Sequence, residues 1–306
     1  MTKPNASPRV PLANAVELLL RKDVETPVIT DYELGRIVYR VIADGVVEGR
    51  ELRLSRRTPT RGDFLTVRRA LVNRGALTED RGLPHAVLRT GTQARPDPET
   101  IFCAIDPFSY ASHLSAMVYH GLTNRLPKLL FFTSPASTQW RELALARMQR
   151  DLGPELSSYR AANLPGLARH KVGKIQGLTL NITQTKDFGG GFRIAQDGLL
   201  RVSTLGRTYL DMLRRSDLCG GMAHVIEIFE QNAKEHLSLI IGEVDKHGTQ
   251  IDHVRAGYIL EDRCGLSDRR IDAWVTDAQR GGSRRLDPEK EYMPTFSERW
   301  MISVNV

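Results

Sequence analysis

Cysteine is scarce: the 306-residue chain holds three, Cys103, Cys219 and Cys264, far apart. They form no CxxC pair and no disulfide framework, which points to a reducing, cytoplasmic compartment. Long apolar runs are also missing. No stretch reaches the roughly 18 to 20 residues of a membrane helix, so no membrane partner is expected. Met1–Pro11 lacks an apolar segment and carries Lys3 and Arg9, so it reads as neither signal peptide nor anchor. The usual catalytic signatures are absent. There is no GxSxG elbow, no HExxH, and no glycine loop with a phosphate-binding lysine. Nothing pairs a nucleophile with a base, and no cofactor is implied. The chain reads as a non-enzyme.

What is present is an uneven basic charge. The formal net charge is +7. Residues 1–90 hold 16 Lys/Arg against 11 Asp/Glu, so most of the excess lies in the first third. Arg50 to Arg74 contains eight arginines against Glu51 and Asp63. A solvated face would explain such a run, but so would a polyanion partner, and phosphate backbones are the commonest one.

The first 90 residues read as a small helical unit. Val16, Leu19 and Leu20 have helical spacing within Ala13–Lys22. Thr30 and Glu33 form a capping box ahead of Leu34, Ile37, Val38 and Val41, so a second helix runs from about Asp31 to Ala43. A loop follows to Pro59, with a short strand near Glu51–Leu54. A third helix spans about Gly62 to Asn73, with Phe64, Leu65, Val67, Leu71 and Val72 on its apolar side, and Gly75 stops it. Ala76–Thr78 and Ala86–Arg89 then read as a hairpin around Glu79–Gly82. This is the order of a winged helix-turn-helix. The third helix would offer Arg61, Thr66, Arg68, Arg69 and Asn73 to base edges, with Arg56 and Arg57 ahead of it. Arg81 at the hairpin tip would reach a neighbouring phosphate or the minor groove. A small three-helix module that contacts proteins is the other reading.

Gly91–Glu99, with two prolines, reads as a linker, and a second domain covers residues 100–306. Its expected strands are Ile101–Ile105, Leu129–Thr133, Lys174–Thr183, Leu199–Val202 and Trp300–Val306. Its expected helices are Ser109–Gly121, Thr138–Asp151, one around Met222–Ala233, one around Val254–Tyr258, and one at Ile271–Ala278 ended by Gly281–Gly282. The whole is α+β: an N-terminal winged helix followed by a larger mixed domain.

Polar clusters in this second part have structural readings. Gly189–Gly191 reads as a tight turn. His113 and His120, seven apart, lack a third ligand. The cluster Glu243, Asp245, His247, Asp252 and His253 reads as caps and loop residues, so no metal is expected. Cys219, before Gly220–Gly221, reads as a buried thiol. Ser134, Ser137 and Thr138 read as caps of the following helix. Lys171, Lys174, Lys186 and Asp187 near the glycine turn give the one argument for an enzyme.

Three phrases carry a resemblance. They are Ser109–Leu122, with Ser112 and His113; Val202–Asp211, with Arg207, Thr208 and Asp211, ahead of Cys219–Gly221; and Arg255–Glu261, with Arg255 and Tyr258. In this order the chain resembles the AbiEi antitoxin family of abortive-infection regulators, over most of residues 100–306. The stretch Asp44–Pro59 departs from a tight helix-turn-helix by its length. Arg207 and Asp211 also have the spacing of an ordinary helix ion pair. The resemblance implies a cytoplasmic, nucleoid-associated antitoxin of a type IV toxin–antitoxin system. It would bind promoter inverted repeats, repress its own operon and counteract a nucleotidyltransferase-like toxin. An orphan winged-helix regulator with a sensing C-terminal domain is the alternative.

Overall fold

A computed structural model describes residues 9–91, 96–186, 188–195, 198–279 and 284–306. In chain order the first elements are α1 (Leu12–Asp23), β1 (Val28–Thr30), α2 (Asp31–Asp44), β2 (Val46–Val47), β3 (Arg50–Glu51), α3 (Arg61–Asn73), β4 (Thr78–Glu79), β5 (Val87–Arg89) and α4 (Pro98–Ile105). Then come β6 (Tyr110–Ala111), α5 (His113–Tyr119), β7 (Leu129–Pro135), α6 (Ser137–Leu152), α7 (Leu156–Ala161), β8 (Lys174–Ile175) and β9 (Leu178–Thr185). The last are β10 (Phe192–Ile194), β11 (Arg201–Ser203), α8 (Leu205–Arg214), α9 (Met222–His247), α10 (Gln250–Tyr258), α11 (Arg269–Trp274), β12 (Phe296–Ser297) and β13 (Ile302–Ser303). The fold is α+β.

Two compact units result, and their edge is not at 91–99. One comprises residues 1–109 and 135–180, the other 110–134 and 181–306. Of the expected linker, 92–95 lie outside the described residues. Pro98 begins α4, where its missing N–H costs nothing.

In the first unit, α1, α2 and α3 surround Val16, Leu20, Leu34, Val38, Phe64, Val67 and Leu71. A three-stranded antiparallel sheet of order β1-β5-β4 closes one side, with Ile29 opposite Leu88 and Glu79 opposite Leu88. Residues 135–180 complete this core. Gly35 on α2 lets the Tyr159 hydroxyl approach, and a Cβ there would lie 2.6 Å from that oxygen. Tyr32 donates to Asp151 at 3.1 Å and Tyr39 to Glu155 at 2.6 Å, so α2 is gripped by α6 and the turn before α7. No sequence pattern announces this docking.

The second unit places β10, β11, β6 and β7 side by side. Helices α8 and α9 pack closely because Gly206 presents no side chain to the Leu239 carbonyl. The core gathers Tyr209, Leu213, Phe229, Ile240, Val254, Leu260 and Trp300.

Several expected elements take another form. Ile101–Ile105 is part of α4, not a strand. A short, wholly apolar run suits either form, and Thr100, Ile101, Phe102, Cys103 and Ile105 are buried on more than one side of the helix. The Ser109–Gly121 helix begins only at His113. Tyr110–Ala111 is a strand, and His113 turns the chain with φ of 49°. Lys174–Thr183 is two strands rather than one, paired through a turn at Gln176–Gly177. Leu65 is exposed rather than part of α3's apolar side. Ala136 stands at the α6 cap position and no side chain caps that helix, so Ser134, Ser137 and Thr138 do not cap it. Gly281–Gly282 lie outside the described residues.

Candidate nucleic-acid interface

Helix α3 starts on a reciprocal cap. The Thr60 hydroxyl accepts from the Asp63 N–H at 3.3 Å, and the Asp63 carboxylate accepts from the Thr60 N–H at 2.9 Å. Arg56 donates to both side chains, at 3.0 Å to Thr60 and 3.1 Å to Asp63. Burial alone would raise the Asp63 pKa, but the Thr60 hydrogen bonds and Arg56 outweigh it and hold the carboxyl below its usual range. Arg56 therefore secures the helix start. Its guanidinium is only partly available to a ligand.

The exposed residues of α3 are Arg61, Gly62, Leu65, Thr66, Arg69 and Asn73. At 3.6 residues per turn they cover about 140° of the helix circumference. Phe64, Val67 and Leu71 occupy the opposite side, in the core. The Arg61 and Arg69 side chains make no hydrogen bond or ion pair among the described residues. Leu65, 45% exposed, lies between them.

Arg68 does not belong to this face, which corrects the expectation that it contacts DNA. It is buried. Its Nε donates to Asp31 at 3.0 Å, its Nη1 to Glu79 at 3.2 Å, and its Nη2 to the His85 carbonyl. One guanidinium thus joins the start of α2, strand β4 and the segment before β5. A buried side chain with all three nitrogens so committed orients the hairpin against α3 and is not presented to a base.

A hairpin forms where one was expected, but its first strand is Thr78–Glu79, so Glu79 belongs to the strand and not to the turn. Asp80 accepts from the Gly82 N–H at 2.8 Å and from Arg89 at 2.7 Å, which fixes the turn. Arg81 stands exposed at its tip. The long stretch after α2 folds into the β2–β3 hairpin, with Val47 opposite Arg50. Arg57 is exposed and lies against Gly45, at the left-handed end of α2. The structure therefore assembles Arg61, Thr66, Arg69 and Asn73 on one helix face, with Arg81 on the hairpin of the same unit. It leaves Arg57 to the side, uses Arg56 as a cap, and buries Arg68.

The residues behind the family resemblance are internal. Ser112 and His113 are hydrogen-bonded to each other at 2.8 Å, and Thr133 donates to Ser112 at 2.9 Å. Burial depresses the His113 pKa. Arg207 and Asp211 form the i,i+4 pair at 2.8 Å, 8% and 6% exposed. Thr208 bonds Ser203 and the Thr204 carbonyl. Arg255 donates to the Arg285 and Leu213 carbonyls, and burial raises the Tyr258 pKa. All seven are buried, so they shape the second unit from within.

Several members of the remaining polar clusters have protein partners, while one Glu243 carboxylate oxygen is buried without a hydrogen bond among the described residues. Asp252 closes a cap with Thr249 and takes Arg214, and His253 pairs with Asp277 at 2.6 Å. His120 bonds the Ser203 carbonyl. Among the described residues no three side chains form a metal-binding group. Cys219 is buried and its thiol pKa raised. Lys171 and Lys174 belong to the first unit and Lys186 to the second, while Asp187 lies outside the described residues. No described helix is long and apolar enough to cross a membrane.

No family profile matches the chain. No curated protein matches it either. Among solved structures, it is similar to the Rv2827c protein of Mycobacterium tuberculosis, with a TM-score of 0.51 and 13% sequence identity. The match covers 99% of this chain and 94% of that one. The likeness concerns the fold alone.

Proposed function

We propose that the first unit contains a winged helix that binds duplex DNA, with α3 as its recognition helix and β4–β5 as its wing. One observation carries this reading: the outward arc of α3 presents Arg61, Thr66, Arg69 and Asn73 while the core holds its other side. Arginine is the side chain best suited to guanine edges and phosphates, and asparagine to adenine edges. The free Arg81 on the hairpin supplies a second contact. The element order and the β1-β5-β4 sheet support the same reading.

On the family resemblance, the DNA is the chain's own promoter, with inverted repeats. The protein then represses its operon, and the second unit serves to counteract a nucleotidyltransferase-like toxin. The DNA half is tested by a mobility shift with the flanking DNA of its own gene. Wild type forms a discrete complex there, and R61A/R69A does not. Retention of that complex by the double variant rejects the assigned face. The antitoxin half is tested by growth on co-expression with the adjacent gene product. Rescue supports it, and toxicity unchanged by this protein rejects it.

A further inference from the structure

A second basic feature of the first unit borders the C-terminal end of α3. The N-terminal end of α1, the β3 strand and the end of α3 enclose a groove of about 450 Å³. Arg9, Arg21, Arg50 and Arg74 line it. Glu17 is the acidic residue of its lining, and it serves two arginines, Arg21 at 2.7 Å and Arg74 at 3.7 Å. Arg74 also donates to Asn14, and Arg9 pairs with Glu51. The Arg50 side chain has no ion pair or hydrogen bond among the described residues. Four guanidinium groups thus meet two carboxylates.

The end of α1 adds to this field. Pro11 caps it without a side-chain hydrogen bond, and its first turn has no acidic residue. The positive end of a twelve-residue helix therefore lies beside an arginine-lined groove, and both features attract an anion. The arginines of these pairs are exposed, although Glu17 is largely covered, so the pairs are weak and yield to a stronger acceptor.

We infer that this groove seats a backbone phosphate of the DNA bound by α3. The inference rests on the DNA-binding reading above. A phosphodiester fits the chemistry: it is a compact anion, it accepts from several arginines at once, and it carries no base information. The groove and the α3 arc then have different tasks, one anchoring and one reading sequence.

The test uses the full-length protein and a short duplex that the wild type selects from a random pool, beside a scrambled duplex. Affinity is followed against salt for wild type, R50A and R21A/R50A. Both arginines are exposed, and a thermal melt checks that each variant keeps the wild-type midpoint. Each phosphate that is neutralised adds about one to the slope of log affinity on log salt. The groove holds one phosphate, so R21A/R50A is expected to flatten the slope by about one and R50A by up to that amount. Preference for the selected duplex over the scrambled one stays as in wild type. Wild-type slopes in both variants overturn the groove assignment and leave the α3 reading standing. Lost preference also overturns it, because the groove would then read bases. If the wild type itself enriches no duplex and shows no salt-dependent binding, the DNA-binding reading falls and takes the groove with it.

Discussion

Arg68 and Arg69 are neighbours with opposite fates. Arg69 is exposed, whereas Arg68 holds Asp31, Glu79 and the His85 carbonyl. Removing Arg68 leaves the Asp31 and Glu79 carboxylates without their partner. A charged hydrogen bond contributes about 1.5 to 3 kcal/mol, and Glu79 is half exposed, so R68A is expected to destabilise by about 2 to 3 kcal/mol. R69A should leave the urea midpoint unchanged. Equal midpoints for the two variants would remove Arg68 from its structural role. In the second unit, R207A strands the Asp211 carboxylate, 6% exposed. Breaking a buried pair costs about 3 to 5 kcal/mol, so the melt of R207A should fall well below that of R215A, whose partner pair with Asp217 is exposed. Sequence alone did not separate Arg68 from Arg69, because only the position of the hairpin decides which guanidinium finds acids.

At the scale of elements, the start of α3 is a pH-sensitive joint. Asp63 and Asp80 are both held below the usual carboxylate range, Asp63 by Thr60 and Arg56, Asp80 by the Gly82 N–H and Arg89. A depressed folded pKa stabilises the fold above 3.8, and that contribution is lost as pH falls through the lower folded value. Amide protection factors in α3 and the hairpin, taken against the intrinsic exchange rate at each pH, should therefore fall at acid pH, and D63N should weaken that dependence. A dependence as steep in D63N as in wild type would count against the cap. Gly257 in α10 gives another element test. A Cβ there would fall inside the Trp300 ring, so G257A is expected to cost about 3 kcal/mol or more, read as a loss of melting temperature. An unshifted melt would mean that Trp300 can move aside. The capped helix α2, the periodic helix α3 and the first half of α9 were legible in the chain, whereas the run of α9 from Lys234 to His247 was not. Thr30 and Glu33 mark the start of α2, and Gly75 the end of α3. Pro98–Ile105 was not legible, because an apolar run that short has no period to read. The turn at His113 was hidden too, since a left-handed φ at a non-glycine residue depends on tertiary context.

For the whole molecule, the expected break at 91–99 separated what the fold joins. Tyr159 and Met148 complete the core around α2, and they come from residues 135–180. Long-range docking of this kind has no local sequence signal. A fragment ending at residue 90 would bare Tyr32, Gly35 and Tyr39. It is expected to melt below the intact chain, as followed by circular dichroism; an equal midpoint would show residues 135–180 to be dispensable. Burial also lowers the pKa of His113, His120 and His170. The unfolded chain takes up these protons below about 6.5, so stability should fall as pH drops from neutral to about 5, by urea titration.

The front-loaded charge was legible in the chain, and so was the part of the α3 face formed by Arg61, Thr66, Arg69 and Asn73. Leu65 and the arginine groove emerge only once α1, β3 and α3 are packed. The central claim is that this α3 face binds duplex DNA. It is tested most directly by fluorescence anisotropy of a selected duplex across a salt series, with wild type beside R61A/R69A. Steep salt dependence in wild type is predicted, with a slope lower by about one for each of the two arginines that meets a phosphate, and relaxed sequence preference for one that meets a base. Indistinguishable curves for the two proteins, or no salt-dependent binding by either, would contradict it.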